Sequence, residues 1–232
     1  MPATARPTVV VFDFGGVLID WDPRHLYRRL FDDPDEMEAF LEEVELAEWN
    51  TRQDAGGSWA EAIEQLAAQH PERRELIEAF HRRWPETLAG EIPDTVAVLA
   101  ELRDAGVRLL ALSNWSAETF PVARERFPFL AWFEGIVISG EVGVTKPDPR
   151  IFEHLLERFG IEASDAVFVD DQAANVEAAA RLGFNAILFT GSSALRGELV
   201  RLGLLPEAPP QPTAAAAAAR RRRPTTPPDP TP

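Results

Sequence analysis

The most informative segment of this chain lies near its start and reads Thr8-Val9-Val10-Val11-Phe12-Asp13-Phe14-Gly15-Gly16-Val17-Leu18. The run from Val9 to Phe12 has no polar face, which is typical of a strand buried in a parallel sheet. Asp13 then stands at the carboxyl end of that strand, where open α/β sheets bind their ligands. The two glycines allow the backbone to turn tightly and to approach a bound group. We therefore expect the Asp13 carboxylate to serve as a metal ligand, a nucleophile or both.

Composition narrows the class of protein. The 232 residues carry a formal net charge of −15 and include no cysteine. An acidic balance argues against nucleic acid as a partner, because a phosphate-binding surface should be basic. Disulfides and thiolate metal sites need cysteine, so both are excluded. No apolar stretch has the length of a membrane span, and the first strand begins too early for a signal peptide. We expect a soluble cytoplasmic protein without membrane or nucleic-acid partners.

Strands and helices alternate along much of the chain. Apolar runs predict strands at 107–112, 135–139, 166–169 and 185–189, with helices at 93–105, 118–127, 149–159 and 173–182. This alternation predicts an α/β fold, a Rossmann-like parallel sheet with helices on both faces. The predicted divisions are a core of residues 1–19 and 91–205, a helical cap of residues 20–90 and a disordered Pro/Ala/Arg-rich tail of residues 206–232.

Polar groups accompany three other strands of the predicted sheet. They are Ser113-Asn114, Lys146-Pro147 and Asp170-Asp171. Because the carboxyl ends of parallel strands meet at one crevice, we expect these groups to lie near Asp13. Lys146 is the single lysine in a chain with 23 basic residues. A crowded phosphate site requires a compact ammonium that the planar arginine fork cannot replace, so we predict a functional role for Lys146.

The paired acids indicate a cation. Asp170 and Asp171 end an apolar strand at the same edge as Asp13, where these carboxylates would repel one another without a hard cation such as Mg²⁺. The set predicts phosphoryl transfer, in which Asp13 attacks phosphorus and forms an aspartyl-phosphate that water cleaves. Mg²⁺ and Lys146 would neutralise the phosphoryl oxygens, and Ser113 would orient them. The predicted catalytic residues are therefore Asp13, Ser113 and Lys146.

These motifs resemble the haloacid dehalogenase superfamily of hydrolases, most of whose members are phosphatases. The resemblance covers residues 9–189 in four ordered motifs: Asp13-Phe14-Gly15-Gly16-Val17-Leu18, Ser113-Asn114, Lys146-Pro147, and Asp170-Asp171 with Asn175. The helical insertion is similar to the cap of the branch that contains the dehalogenases and sugar-phosphate phosphatases. The fold that the resemblance implies is the one predicted above.

The resemblance also implies roles for individual residues. Asp13 would be the nucleophile and a Mg²⁺ ligand, with the Gly15 carbonyl and Asp171 as further metal ligands. Asp170 would assist these ligands, and Asn175 takes the place of an acid that is common in the family.

Gly15 departs from the family pattern. Most phosphatases of this type carry at that position a second aspartate that acts as general acid and base, and its loss typically costs about a hundredfold or more in rate. A sugar 1-phosphate, whose leaving group needs little protonation, would be affected least and is the substrate we predict. Two alternatives stay open: a weakly catalytic binding or regulatory protein, and a metal-free 2-haloacid dehalogenase.

The cap is expected to select the substrate. The stretch Trp49–Trp59 includes Asn50 and Asp54 and is predicted to form a loop that enters the site around a Gly56-Gly57 hinge. The partner would be a small phosphorylated molecule, and the chain a monomer or homodimer. The residues assigned to substrate binding are Gly16, Arg52, Asn114 and Trp115.

Overall fold

The computed structural model describes residues 6–207, so the predicted tail lies outside the described residues from 208 onward. The strands are β1 (Val9–Phe12), β2 (Ile19–Trp21), β3 (Leu88–Glu91), β4 (Arg108–Ser113), β5 (Gly135–Ile138), β6 (Ala166–Asp170) and β7 (Asn185–Leu188). Five of them form one parallel sheet in the order β5-β4-β1-β6-β7. The predicted parallel α/β sheet is confirmed.

Two groups of helices accompany these strands, one that covers the parallel sheet and one that lies between β2 and β3. They are α1 (Pro23–Tyr27), α2 (Pro34–Glu43), α3 (Leu46–Asp54), α4 (Trp59–Gln69), α5 (Arg74–Arg82), α6 (Pro93–Asp104), α7 (Phe120–Arg126), α8 (Ser139–Val142), α9 (Pro149–Phe159), α10 (Ala173–Arg181) and α11 (Ser192–Arg201). In residues 6–207, no helix is both long and apolar enough to cross a membrane.

Strand β1 shows why helices cover both faces of the sheet. Successive side chains of a strand point to opposite faces, so Val10 and Phe12 pack in one hydrophobic cluster while Val9 and Val11 pack in another. The first cluster includes side chains of α6, α7 and α11, and the second includes side chains of α9 and α10. All four residues of β1 are buried, as expected for a central strand.

Helices α1–α5 lie between β2 and β3, which pair as a small antiparallel ribbon. Five buried aromatic side chains pack within this helical segment: Tyr27, Phe40, Trp49, Trp59 and Phe80. The segment also contacts the sheet domain, because the Trp59 indole donates a hydrogen bond of 3.0 Å to Ser116 Oγ. The ribbon and α11 were not predicted. Strand β3 has a single fully buried side chain, so its pairing leaves little pattern in the sequence.

Capping residues explain several helix boundaries. The Ser58 hydroxyl accepts a hydrogen bond from the Glu61 amide at the start of α4, as the Ser-x-x-Glu pattern predicts. Gly160 ends α9 with a φ of 59°, a conformation that favours glycine. Strands β4 and β6 each extend one residue further than predicted, so that Ser113 and Asp170 belong to the strands themselves.

Candidate active site

The parallel register brings three strand ends together. Phe12, the last residue of β1, pairs with Ala111 of β4 on one side and with Val169 of β6 on the other. Asp13 follows directly, and its backbone amide donates to the Val169 carbonyl at 2.9 Å. The Ser113 hydroxyl, 100 residues away in sequence, donates a 2.7 Å hydrogen bond to Asp13 Oδ1. The strand ends therefore converge as predicted.

Lys146 is fixed at both its backbone and its ammonium group. The Asn114 amide group donates to the Lys146 carbonyl at 3.0 Å, and its oxygen accepts from the Lys146 amide at 2.8 Å. The ammonium donates to the Leu112 carbonyl at 2.9 Å and to Asp170 Oδ2 at 2.7 Å. It also lies 3.0 Å from Asp13 Oδ1. Asn114 thus positions Lys146 between two carboxylates.

Burial and neighbouring charges of opposite sign have opposite effects on the pKa values of Lys146 and Asp13. Burial alone would lower the pKa of Lys146, but the adjacent Asp13 and Asp170 outweigh it and raise that pKa. For Asp13, burial raises the pKa to about 6, although the Lys146 charge acts to lower it. Asp170 adds to the rise by its negative charge. Bound positive charge would therefore favour the ionised form of Asp13, which is the form that can attack an electrophile.

Asp170 and Asp171 differ in environment. Asp170 is fully buried, and its oxygens accept from Lys146, from the Gln172 amide at 2.8 Å and from Asn175 Nδ2 at 3.0 and 3.1 Å. Asp171 is half-buried and accepts from Gln172 Nε2 at 3.0 Å. Burial raises the pKa of Asp171, and the neighbouring Asp170 charge adds to that effect. Oxygens of Asp13, Asp170 and Asp171 all lie within 4.8 Å of one another.

A cavity of about 480 Å³ opens above these groups. The sheet domain contributes Asp13, Gly15, Gly16, Ser113, Asn114, Trp115, Lys146, Asp171, Gln172 and Asn175 to its lining. The opposite wall comes from β2 and the helical segment, with Trp21, Asp22, Pro23, Arg24, Ala47, Asn50, Thr51, Asp54 and Trp84. The structure thus brings nearly all predicted site residues to one cavity large enough for a small ligand.

Arg52 is the exception among the predicted substrate-binding residues. The stretch expected to form a loop is helix α3 up to Asp54, and a helix places residues three and four apart on one side. Asn50 and Asp54 therefore face the catalytic cavity, whereas Arg52 is exposed and lines a separate depression with Glu43 and His70. The loop prediction was wrong over 49–54, because helix α3 continues to Asp54 and the glycines that interrupt the helical pattern come only at Gly56 and Gly57.

Sequence reasoning missed Thr51, Trp84 and Gln172 as cavity residues. Thr51 and Trp84 reach the cavity through the packing of the helical segment, which no local motif reports. Gln172 had a usable signal, since it directly follows the two acids at the end of β6.

Comparison with known proteins agrees with this site. The chain belongs to the haloacid dehalogenase-like hydrolase family, whose profile matches residues 7–183. It is therefore an enzyme of the hydrolase class. The resemblance seen in its motifs is confirmed.

Several characterised relatives are phosphatases. A sesquiterpene phosphatase from Aspergillus oryzae is 29% identical over 83% of this chain and 94% of its own length. A phosphoserine phosphatase from Thermus thermophilus is 34% identical over 64% of this chain and 55% of its own length. An N-acylneuraminate-9-phosphatase from Mus musculus is 34% identical over 49% of this chain and 46% of its own length. For these last two, the match spans about half of the relative.

Solved structures share the fold. A HAD family enzyme from Bacteroides thetaiotaomicron, crystallised as a magnesium complex, has a TM-score of 0.64 at 23% identity, covering 83% of this chain and 100% of that chain. The L-2-haloacid dehalogenase from Xanthobacter autotrophicus has a TM-score of 0.57 at 22% identity, covering 86% of this chain and 85% of that chain. Both similarities establish the Rossmann-like fold of this family.

Proposed function

We propose that this enzyme is a Mg²⁺-dependent phosphatase that hydrolyses a small phosphorylated metabolite through an aspartyl-phosphate on Asp13. One observation carries the proposal: the Lys146 ammonium lies 3.0 Å from Asp13 Oδ1 at the floor of the cavity. A carboxylate beside a buried ammonium can attack phosphorus while the positive charge stabilises the phosphoryl oxygens. The phosphatase relatives support the same chemistry.

The chain's own residues have distinct tasks in this reaction. Ser113 donates to Asp13 Oδ1, and Lys146 lies near the same atom, so both hold the nucleophile in one orientation. Lys146 would also contact a phosphoryl oxygen at the cavity floor. Asp170 accepts from the Lys146 ammonium, and Asn114 binds the Lys146 backbone, so both position the cation. Gly16 and Trp115 would border the bound phosphate and its leaving group.

The acidic cluster fits a hard divalent cation. Asp13, Asp170 and Asp171 place three carboxylates beside a single ammonium, and carboxylate oxygens are the ligands that Mg²⁺ prefers. We assign the metal to Asp13, the Gly15 carbonyl and Asp171. Asp170 would support the cluster through Lys146, since its oxygens already accept from protein donors. Bound Mg²⁺ would supply positive charge that stabilises the phosphoryl oxygens.

For the substrate we place sugar 1-phosphates first, because residue 15 is a glycine that offers no acid, and a leaving group that needs little protonation depends least on an acid at that position. The cavity of about 480 Å³ suits a molecule of that size, and Asp22, Asn50 and Thr51 on its upper wall could bind hydroxyl groups. We further propose that the protein works in the cytoplasm as a monomer or homodimer.

Phosphate release from a panel of phosphorylated metabolites tests the proposal. We expect turnover that requires Mg²⁺ and disappears in Asp13→Asn, while the matched control Asp94→Asn, an exposed acid in the first turn of α6, keeps full activity. A higher rate with sugar 6-phosphates than with 1-phosphates would contradict the substrate assignment. Metal-independent halide release from a 2-haloacid would point to a dehalogenase. A folded, Mg²⁺-binding protein without turnover would point to a binding protein.

A further inference from the structure

The proposed reaction needs a proton donor that the sheet domain does not supply. Gly15 has no side chain, and the Lys146 ammonium already contacts the Leu112 carbonyl, Asp170 and Asp13. The Ser113 hydroxyl donates to Asp13. Lys146 and Ser113 therefore both contact the nucleophile Asp13. We infer that the proton for the leaving group comes from another side chain of the cavity.

We propose that Asp54, at the end of helix α3, is the general acid and base of this enzyme. This inference rests on the proposed phosphatase function. Asp54 lines the same cavity as Asp13 but belongs to the opposite wall, which is where the leaving group of a phosphate held by Asp13 would lie. A substrate bound between the two walls therefore separates the nucleophile from the acid, as the chemistry requires.

A chain of hydrogen bonds ties Asp54 to the catalytic strand end. The Ser139 hydroxyl donates to the Asp54 carbonyl and accepts from the Trp115 amide at 2.9 Å. Trp115 follows Ser113 and Asn114, so the backbone of Asp54 is held relative to the residues that orient Asp13 and Lys146. Its side chain accepts a hydrogen bond of 2.9 Å from Asn50 Nδ2. Asp54 is thus placed by the protein before any substrate binds.

The environment of Asp54 suits proton transfer near neutral pH. Burial raises its pKa to about 7, the Ser116 backbone amide acts to lower it, and the charge of Asp13 raises it further. A carboxyl group with that pKa can both donate and accept a proton under ordinary conditions. The titratable or charged groups that share its cavity are Asp13, Asp22, Arg24, Lys146 and Asp171.

Other cavity groups are less suited to this role. Arg24 is paired with Glu38 and also contacts Asp22. Asp22 accepts from the Arg24 amide and caps α1. In residues 6–207, no ion pair is formed by Asp54, which leaves its carboxyl group available to carry the proton.

The proposed hydrolysis has two steps, transfer of the phosphoryl group to Asp13 and its release by water. In the first step, an Asp13 oxygen bonds to phosphorus as the bond between phosphorus and the leaving oxygen breaks. The leaving oxygen keeps the electron pair of that bond and takes the proton of Asp54, so that it leaves as an alcohol. The Asp54 carboxylate then takes a proton from water, whose oxygen bonds to phosphorus. The bond to Asp13 breaks, the carboxylate recovers its electron pair, and inorganic phosphate leaves.

A leaving-group series tests Asp54 against a merely structural role. With an alkyl phosphate such as glycerol 3-phosphate, Asp54→Asn should lose about a hundredfold or more in kcat/KM, as expected for loss of general acid catalysis. With 4-nitrophenyl phosphate, the first turnover needs no proton and should stay within about threefold of the wild type. Nitrophenol should then appear as a burst followed by slow turnover, because the water of the second step lacks its base.

Two matched variants sharpen the test. Glu48→Gln makes the same acid-to-amide change on an exposed residue of α3 and should leave both rates unchanged. Gly15→Asp in the Asp54→Asn background should restore about tenfold or more of the alkyl phosphatase rate. The new side chain has room, because a Cβ at residue 15 meets no atom within 4 Å and its φ is not positive.

The outcomes separate the two proposals. An equal loss with every leaving group, or no loss with the alkyl phosphate, would overturn the assignment of Asp54 while Asp13→Asn still establishes the phosphatase. If Gly15→Asp restores no activity toward the alkyl phosphate, the defect of Asp54→Asn is not the loss of a proton donor, and the assignment of Asp54 is again contradicted. A wild-type enzyme that hydrolyses neither these two phosphates nor any member of the panel of phosphorylated metabolites would overturn both.

Discussion

The Lys146 ammonium and Asp170 Oδ2 lie 2.7 Å apart, with 1% and 0% of their side chains exposed. Breaking a buried ion pair by removing one partner is strongly destabilising, because the remaining charge stays buried without compensation. Here the same ammonium also faces Asp13, so its removal would strand two carboxylates. The Lys146 ammonium is therefore also needed for the stability of the folded protein.

Lys146→Met removes the charge and keeps most of the side-chain volume. We expect a loss of about 3–5 kcal/mol in the free energy of unfolding and loss of activity. Urea denaturation measures this as a lower midpoint. The same substitution in an Asp170→Asn background should cost less, since one stranded carboxylate is already neutral. Equal costs in the two backgrounds would show that Lys146 and Asp170 are not coupled.

Neighbouring glycines should respond in opposite ways to alanine. Gly16 has a φ of +70°, and a Cβ there would lie 2.5 Å from Asp171 Oδ2. Gly16→Ala should therefore cost about 1–2 kcal/mol through backbone strain and weaken Mg²⁺ binding by displacing Asp171. Gly15→Ala meets no such contact and should change neither property. Calorimetric titration with Mg²⁺ and thermal melting measure both, and similar effects at the two positions would contradict the geometry.

Asp54 should make stability depend on pH. Its folded-state pKa of about 7 lies above the ordinary 3.8, so the folded protein holds a proton that the unfolded chain releases between these values. The contribution of this proton to the free energy of unfolding is complete below pH 3.8 and is lost as the pH rises through 7. Asp54→Asn should thus gain stability relative to the wild type across this window, by at most about 4 kcal/mol. Denaturation of both proteins at several pH values in EDTA measures the difference, and a pH-independent difference would contradict it.

Mg²⁺ should stabilise the folded protein, because the ordered carboxylates exist only in the native state. A concentration one hundred times the dissociation constant should add about 2.7 kcal/mol, seen as a higher melting temperature that EDTA reverses. Asp171→Asn should lose most of this effect, while Asp94→Asn should retain it. The same stabilisation in Asp171→Asn would place the metal elsewhere.

Local pattern was sufficient to predict the five strands of the parallel sheet. The apolar runs of β1, β4 and β6 have no polar face, and Asp13, Ser113 and Asp170 follow or end them. The parallel topology then requires these residues to meet at one edge. Helix α9 was predicted at its observed bounds, because Pro149 can only begin it and Gly160 ends it in the left-handed conformation.

The cavity residues of the helical segment were harder to predict from the sequence. Asn50 and Asp54 were expected on a loop, and the structure places both on α3 facing the cavity, with Arg52 turned away. Two residues, or about half a turn of helix, separate Asn50 from Arg52 and Arg52 from Asp54, so an error in secondary structure exchanges which of them face the cavity. The side of α3 that faces the sheet domain depends on contacts such as Ser139 with Asp54, which join residues 85 positions apart.

The sequence by itself predicted Asp13, Lys146 and the acidic pair as site residues. Asp13 and the acidic pair lie at the ends of strands whose apolar pattern is visible locally, and Lys146 is the single lysine of the chain. Burial raises the pKa of Asp54, whereas the pKa of Lys146 is raised by carboxylates that are far from it in the sequence. Desolvation depends on every neighbour that excludes water, and those neighbours come from separate elements. The raised pKa of Asp54, on which its proposed role in proton transfer partly depends, is therefore a consequence of the tertiary structure.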